Sequence, residues 1–255
     1  MSFIPSKRAI STASLLLLNT ALALAEVAHG STFQVNPVRI TLSGQSKSAL
    51  LRVRNESNEK LRFQVAVFAW DQNRQGEMVL KPTEDIVFFP VLLSVDPGEQ
   101  RVVRVGTAGS TAATEKAYRM FVEELPPLEK AKENQIRVLT KMGVPIFFQP
   151  SKSLVHGQIE EMIVRRSDFS FEVKNAGNVH LLPLEVQVIG SGSTGEVLFE
   201  RQVQAWYILA GGSREYRLAI PRETCAKIKH LTVEVKMEEK TLRENFSLPP
   251  GSCDG

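Results

Sequence analysis

The chain has 255 residues, of which 43% are apolar and 23% are charged, and its formal net charge is +3. This composition excludes a disordered chain and argues against a protein whose surface is built to coat nucleic acid. Two cysteines and four histidines exclude a disulfide-dense miniature scaffold and a zinc cluster of cysteines and histidines.

The N-terminus has the pattern of a secretory signal peptide. Lys7 and Arg8 precede an apolar stretch over 13–25 that is too short to span a bilayer comfortably, and small residues follow it. Cleavage is predicted after Ala25 or after Gly30. We therefore predict that 1–30 is a removed leader and that the mature protein is exported without stable membrane insertion. The alternative is that this stretch is a membrane anchor.

Alternation of apolar and polar residues predicts strands from Phe33 onward. Period-two runs begin at Phe33, Val38, Leu51 and Leu61, and turn-forming residues such as those at 96–98 separate the runs. Short strands without a long helical pattern are typical of antiparallel sandwiches. The sequence therefore predicts an all-β fold.

A boundary is predicted near Gln149-Pro150-Ser151, after which the strand pattern starts again at Phe169. The two halves, 31–149 and 150–255, each have the size of a seven-stranded sandwich of about 100 residues. We predict two immunoglobulin-like β-sandwich domains joined by a very short hinge.

The segment 134–148 is predicted to be one unusually long strand. Ile136, Val138 and Met142 share one parity, with Thr140 between them, and a polar, proline-rich connection precedes them. A long edge strand with exposed apolar residues is normally an aggregation hazard. The alternative interpretation is that Ile136 and Val138 pack in the core of their own domain.

Several segments in order carry a resemblance to a known family. They are 35–42, 64–70, 88–90, 96–100, 118–127, 144–150 and 173–180. From about 33 to 248 the chain resembles the periplasmic pilus-assembly chaperones of the usher pathway, the PapD-like family, and its second half is similar to the archaic branch. The resemblance implies that the two sandwiches form a boomerang.

The resemblance also implies a function for the long strand. Family chaperones lend this strand to a pilus subunit that lacks one of its own, so Ile136, Val138, Thr140 and Met142 are the predicted donor residues. A bulge would exchange the role of Thr140 with that of Leu139. A periplasmic, non-enzymatic chaperone without a cofactor is implied, which delivers subunits to an outer-membrane usher and can pair with itself when free.

The family anchors the subunit's C-terminal carboxylate with two cations. Arg39 occupies the matching place on the first strand, but Pro145 stands where the better-known branch has the second cation. Arg119 is the preferred substitute, and Lys141 is the alternative. The alternative interpretation is that Arg39 and Arg119 are ordinary solvated strand residues without a role in binding. Gln149 also departs from the family, where many relatives have an arginine in an interdomain salt bridge.

No common catalytic or nucleotide-binding motif occurs in the sequence. Cys225, His230 and Met237, with His180 upstream, permit a blue-copper hypothesis. We favour a Cys225–Cys253 disulfide and no metal, because cysteines of exported proteins usually pair. The alternative function is an exported structural or adhesive immunoglobulin-like protein of a surface fibre.

Overall fold

The computed structural model describes residues 32–128 and 137–253. Within those ranges the chain forms four sheets and one short helix, and the sheets pair into two sandwiches. The predicted all-β fold of two immunoglobulin-like sandwiches is confirmed. The predicted leader and Ile136 lie outside the described residues. In the described part, no helix has the length and apolar composition needed to cross a bilayer.

Ten strands form the first sandwich, more than the seven predicted. They are β1 (Phe33–Asn36), β2 (Ile40–Leu42), β3 (Ser48–Asn55), β4 (Leu61–Gln72), β5 (Met78–Pro82), β6 (Ile86–Phe89), β7 (Leu92–Val95), β8 (Gln100–Thr107), β9 (Lys116–Leu125) and β10 (Lys141–Phe148). Pro37 separates β1 from β2 and Pro90 separates β6 from β7. Proline has no N–H to donate, so it interrupts a ladder and divides what would otherwise be longer strands.

The two sheets of the first sandwich enclose one core. One sheet has the order β1-β3-β8-β6, and the other has the order β2-β10-β9-β4-β5 with β7 also paired to β4. Strict alternation sends every second side chain inward, as the buried pattern of β3 shows at Leu51 and Val53. Facing residues on the second sheet, such as Phe63, Met120 and Ile146, complete this core.

The second sandwich is built from β11 (Gly157–Arg165), β12 (Asp168–Asn175), β13 (Glu185–Ser191), β14 (Val197–Val203), β15 (Ser213–Ala219), α1 (Arg222–Cys225), β16 (His230–Lys236) and β17 (Thr241–Ser247). Its sheets have the orders β11-β12-β15 and β14-β13-β16-β17. Phe169, Val188 and Val233 are fully buried between these sheets.

A buried asparagine fixes an equivalent turn in each sandwich. Asn55 ends β3, and its Nδ2 donates to the main-chain oxygen of Val95 at 2.9 Å. Asn175 ends β12, and its Nδ2 donates to the oxygens of Ile208 at 3.0 Å and Leu209 at 3.1 Å. Buried main-chain carbonyls need such partners, so each amide holds a neighbouring connection in place.

A disulfide joins Cys225 in α1 to Cys253 near the C-terminus, with 5.8 Å between the Cα atoms. Cys225 is buried, and Cys253 packs against the second core. The bond therefore holds the last described turn of the chain against the sandwich. The bond also uses the Cys225 sulfur, which the copper hypothesis requires as a free metal ligand.

Removing this bond is expected to destabilise the second sandwich. The residues are 28 apart, and closing a loop of that length contributes about 3 kcal/mol by restricting the unfolded chain. We expect the variant Cys225→Ala with Cys253→Ala to lose that amount in urea unfolding followed by circular dichroism. Reduction of the unaltered protein with dithiothreitol is the matched control and should give the same shift. An unchanged urea midpoint would contradict this expectation.

Candidate functional site

One edge of strand β10 is paired along its whole length, but the other edge is paired along only part of its length. On one side β9 pairs with it antiparallel from Lys141 to Phe148. On the other side β2 pairs with it in parallel, at Ile146, Phe147 and Phe148 alone. No strand of the described chain covers this second edge before Ile146. An open edge of this kind is a template for another strand.

Two arginines flank the residue at which the open edge ends. Arg119 on β9 is the direct partner of Pro145. On the other side Ile40 pairs with Ile146, and the parallel register therefore places Arg39 beside Pro145. Neighbours in one row of a sheet point to the same face. The predicted cations Arg39 and Arg119 are thus brought together, about 10 Å apart at two strand spacings.

Arg119 is a buried cation held between aromatic rings. Its side chain is on the outer face of the sheet, and the residue is only 8% exposed. The guanidinium carbon lies 5.1 Å from the ring centre of Trp70 and 5.7 Å from that of Trp206. Burial lowers the pKa of Arg119, and Tyr207 partly opposes this effect. Arginine nevertheless stays charged at physiological pH.

The buried arginine has unused hydrogen-bond donors. Nε and Nη1 of Arg119 are inaccessible to solvent and have no hydrogen-bond partner among the described residues, and the same is true of Nε1 of the adjacent Trp70. A buried donor without a partner costs about 1–3 kcal/mol. The charge of Arg119 is therefore not neutralised by a hydrogen bond at these atoms and attracts an anion such as a carboxylate.

The residue before Arg119 fixes the position of β9. Tyr118 points into the first core, and its hydroxyl donates to Asp85 Oδ2 at 2.7 Å. Burial raises the pKa of Tyr118, and the hydrogen bond to Asp85 adds to this rise. The Tyr118 hydroxyl and Lys116 together lower the pKa of Asp85. Because neighbouring residues on a strand face opposite sides, anchoring Tyr118 inward directs Arg119 outward.

The third predicted cation has a different environment. Lys141 Nζ lies 2.8 Å from Glu123 Oε2 and 4.8 Å from the ring centre of Phe121. It is also four residues from Pro145, which is about 13 Å along a strand. In contrast, Arg39 is exposed and forms no ion pair or hydrogen bond with the described residues. The geometry therefore groups Arg39 with Arg119 and not with Lys141.

The predicted donor residues differ in how exposed they are. Val138 is 60% exposed and Leu139 is 41% exposed, and Thr140 is also exposed. Met142 lies on the same open edge and packs partly against the first core, and its role as a donor residue stays a prediction. It has the parity of the inward residues Val144 and Ile146, and the sheet's own core already extends to this point.

The strand is also shorter than the predicted 134–148. β10 begins at Lys141. The segment before it approaches β9 through Thr140, whose main-chain oxygen accepts from Glu124 N at 2.9 Å. Farther back, Arg137 lies 2.9 Å from Glu59 and 3.7 Å from Glu124 in ion pairs. Ile136 lies outside the described residues.

An aromatic cluster joins the two sandwiches beside this site. Phe147 on β10 is fully buried, and His180 of the second sandwich stacks on it with 3.7 Å between ring centres. Trp70 lies 6.0 Å from Phe147, and Tyr207 lies 5.5 Å from Phe147. Leu209 completes the cluster. The strand with the open edge is therefore packed directly against the second sandwich.

Two polar contacts flank the aromatic cluster. Arg74, in the turn after β4, pairs with Glu172 and with Glu161 of the second sandwich. Glu115 Oε1 accepts from the His180 main chain at 2.9 Å and lies 2.8 Å from His180 Nδ1. These polar contacts link the two sandwiches through residues other than Gln149.

Comparison with known proteins agrees with this geometry. Residues 32–153 match the family described as pili and flagellar-assembly chaperone, PapD N-terminal domain. The first sandwich belongs to the PapD-like family of pilus-assembly chaperone domains. No curated protein sequence matches this chaperone.

Solved structures of fimbrial chaperones share its fold. The class 5 fimbriae chaperone CfaA is 16% identical with a TM-score of 0.56, over 86% of this chain and 100% of that one. A chain of the archaic CsuC–CsuE chaperone–tip adhesion subunit complex of Acinetobacter baumannii is 15% identical with a TM-score of 0.60, over 84% and 97% of the chains. A chain of the complex between SafA pilin and the SafB chaperone of Salmonella enterica is 14% identical with a TM-score of 0.55, over 85% and 96%.

Sequence reasoning did not identify the aromatic rings around Arg119. Trp70 and Trp206 are the only tryptophans of the chaperone, and both lie over the Arg119 guanidinium. Their scarcity in the sequence was a usable signal. The sequence did not show that the two tryptophans meet, because they are 136 positions apart in the chain and only the packing of two sandwiches brings them together.

The Arg74–Glu172 contact predicts a pH dependence. Burial acts to raise the pKa of Glu172, but hydrogen bonds from Ser213 and Arg74 and the charge of Arg74 lower it overall. A lowered carboxyl pKa contributes stability above the unfolded value, and this contribution is lost as pH falls through the folded value. In Arg74→Met, which lacks the contact at every pH, we expect the Glu172 pKa to rise and the stability gained above the unfolded carboxyl pKa to shrink.

This expectation is checked by NMR titration of the side-chain carboxyl carbons. The matched control is Lys236→Met, because Lys236 pairs with Glu185 on the other sheet of the second sandwich. That control should leave the titration of Glu172 unchanged. Identical Glu172 titration in Arg74→Met and in the unaltered protein would show that Arg74 does not stabilise the carboxylate.

Proposed function

We propose that this chaperone acts in the periplasm, without enzymatic activity, by lending the open edge of β10 to a pilus subunit that lacks a strand. The observation that carries the proposal is the combination of that edge with two cations at its end. The related structures include complexes of a chaperone with a tip adhesion subunit and of a chaperone with a pilin. The proposed partners here are subunits of the same kind, which are then delivered to an outer-membrane usher.

The open edge supplies main-chain groups for a new strand. β9 satisfies one side of β10, and β2 ends the pairing on the other side at Ile146. A subunit strand added there gains a row of main-chain hydrogen bonds, while alternate side chains enter the subunit's groove. Val138 and Leu139 are the exposed apolar residues available in the described part of this segment. Covering them protects both partners from edge-to-edge aggregation.

The arginine pair gives the added strand a fixed end. A subunit strand that follows the open edge toward Ile146 meets β2 at the row of Arg39 and Arg119. A C-terminal carboxylate at that point lies beside two positive charges, those of Arg39 and Arg119. Charge-assisted hydrogen bonds of this kind are stronger than neutral ones and set orientation. The anchor therefore determines the register of the whole subunit.

The same edge explains the proposed self-association of free protein. Without a subunit, a second copy of the chaperone is the nearest source of an unpaired strand edge. The alternative, a structural or adhesive fibre protein, needs a strand of its own to fill the gap. Among the described residues β2 fills only three positions of β10. The open edge and paired cations therefore favour the chaperone.

Charge substitutions distinguish the anchor residues. We expect Arg39→Ala and Arg119→Ala each to reduce by at least about tenfold the co-purification of a pilin subunit lacking its N-terminal extension, since each removes a charged hydrogen-bond partner. Lys141→Ala is the matched control and should capture normally, because Glu123 already pairs with Lys141. Loss of capture in Lys141→Ala with normal capture in Arg119→Ala would make Lys141 the second anchor.

Two adjacent substitutions define the donor register. Neighbouring side chains on a strand point to opposite faces, so only one of Val138 and Leu139 enters the groove. We expect either Val138→Asp or Leu139→Asp, but not both, to abolish subunit co-purification, because burying an unpaired charge is costly. Leu128→Asp, at an 85% exposed position of the preceding connection, should capture normally. Full capture by both test variants would refute strand donation at this segment.

A further inference from the structure

The guanidinium of Arg119 is confined by residues from both sandwiches. Trp70 contributes a ring face from β4 of the first sandwich, and Trp206 contributes one from the connection between β14 and β15 of the second. A cation over an aromatic face is attracted by the ring quadrupole, more so when both are shielded from water. The orientation of this buried cation therefore depends on a residue outside the domain that carries it.

The connection that carries Trp206 is firmly held. Ile208 exchanges main-chain hydrogen bonds with Leu181 at 2.8 and 3.0 Å. Leu209 N donates across the interface to the side-chain oxygen of Gln72 at 3.2 Å. Tyr207 packs edge-on against Trp206, with 5.6 Å between ring centres. These contacts fix the indole of Trp206 relative to both sandwiches.

Gly143 on β10 leaves room for the Arg119 guanidinium on the side that the two tryptophans do not cover. A Cβ atom at Gly143 would lie 2.9 Å from Arg119 Nε and 3.3 Å from Nη2. The absence of a side chain therefore lets the guanidinium lie flat against β10. Confinement by Gly143, Trp70 and Trp206 leaves Nε and Nη1 without a partner among the described residues. The guanidinium is thus held in one orientation before any ligand arrives.

We propose that Trp206 is a positioning residue of the carboxylate anchor and that the second sandwich thereby takes part in recognising the subunit's C-terminus. This inference rests on the proposed function. A free arginine side chain loses rotamer freedom when it binds, and holding it beforehand removes much of that cost. Trp206 has no contact of its own with the carboxylate in this account. Trp206 acts by holding the Arg119 guanidinium in a fixed orientation.

The test compares two forms of one pilin subunit, both lacking the N-terminal extension. One form has its native C-terminus, and the other carries two additional C-terminal residues that displace the carboxylate. The ratio of native to extended subunit that co-purifies measures carboxylate discrimination. We expect Trp206→Ala to lower that ratio by between about 3- and 30-fold, the range of a cation–aromatic contact. Trp206→Phe retains a ring and should restore most of the discrimination.

A structural role alone would change the yield of both complexes equally and leave the ratio intact. Leu184→Ala, at a 62% exposed position of the second sandwich, is the control and should match the unaltered protein. If the unaltered protein discriminates and Trp206→Ala discriminates equally well, Trp206 has no positioning role. If the unaltered protein captures neither subunit form, the proposed function itself fails.

A measurement without a subunit tests the same contact independently. The Nε–H NMR signal of Arg119, assigned by its loss in Arg119→Lys, is expected to be shifted by the two indole rings and to exchange slowly with water. In Trp206→Ala it should move toward the position of an exposed arginine and exchange faster. An unchanged signal would overturn the holding role even if subunit capture is normal.

Discussion

The structure depends on a mismatch in length between two neighbouring strands. β2 has three residues and β10 has eight, so the parallel pairing of these strands stops at Ile146 and leaves the rest of that edge open. Pro37, which has no N–H to donate, separates β2 from β1. Most folds cover such an edge because it invites aggregation. In a chaperone that lends a strand, this opening is the binding site.

The position where β2 begins also determines where charge is placed. The first paired row contains Ile40 and Ile146, which face the core, so the row before it faces outward and brings Arg39 and Arg119 to either side of Pro145. The end of the opening and the cation pair therefore have one structural origin. Shielding of Arg119 then comes from the second sandwich, whose aromatic residues pack against Phe147 two residues farther along β10.

The sequence was informative where structure is local. Period-two alternation predicted the strands around Leu51 and Leu61 because it directly reflects which face is buried. It did not show that Met142 packs partly against the first core, since parity identifies a face but not how far the domain's own core extends along the strand. Trp206 could not be placed over Arg119 from sequence at all. That contact requires the packing of two sandwiches, which no short-range pattern encodes.

In the proposed mode of binding, a subunit strand adds to the open edge of β10. Amide hydrogen exchange over 137–144, measured for the chaperone alone and with a bound pilin subunit lacking its N-terminal extension, tests it most directly. Addition of a strand predicts strong new protection in that segment, with little change at 146–148, where β2 is already paired. A stable complex that leaves exchange over 137–144 unchanged would contradict strand addition and place the subunit elsewhere on the chaperone.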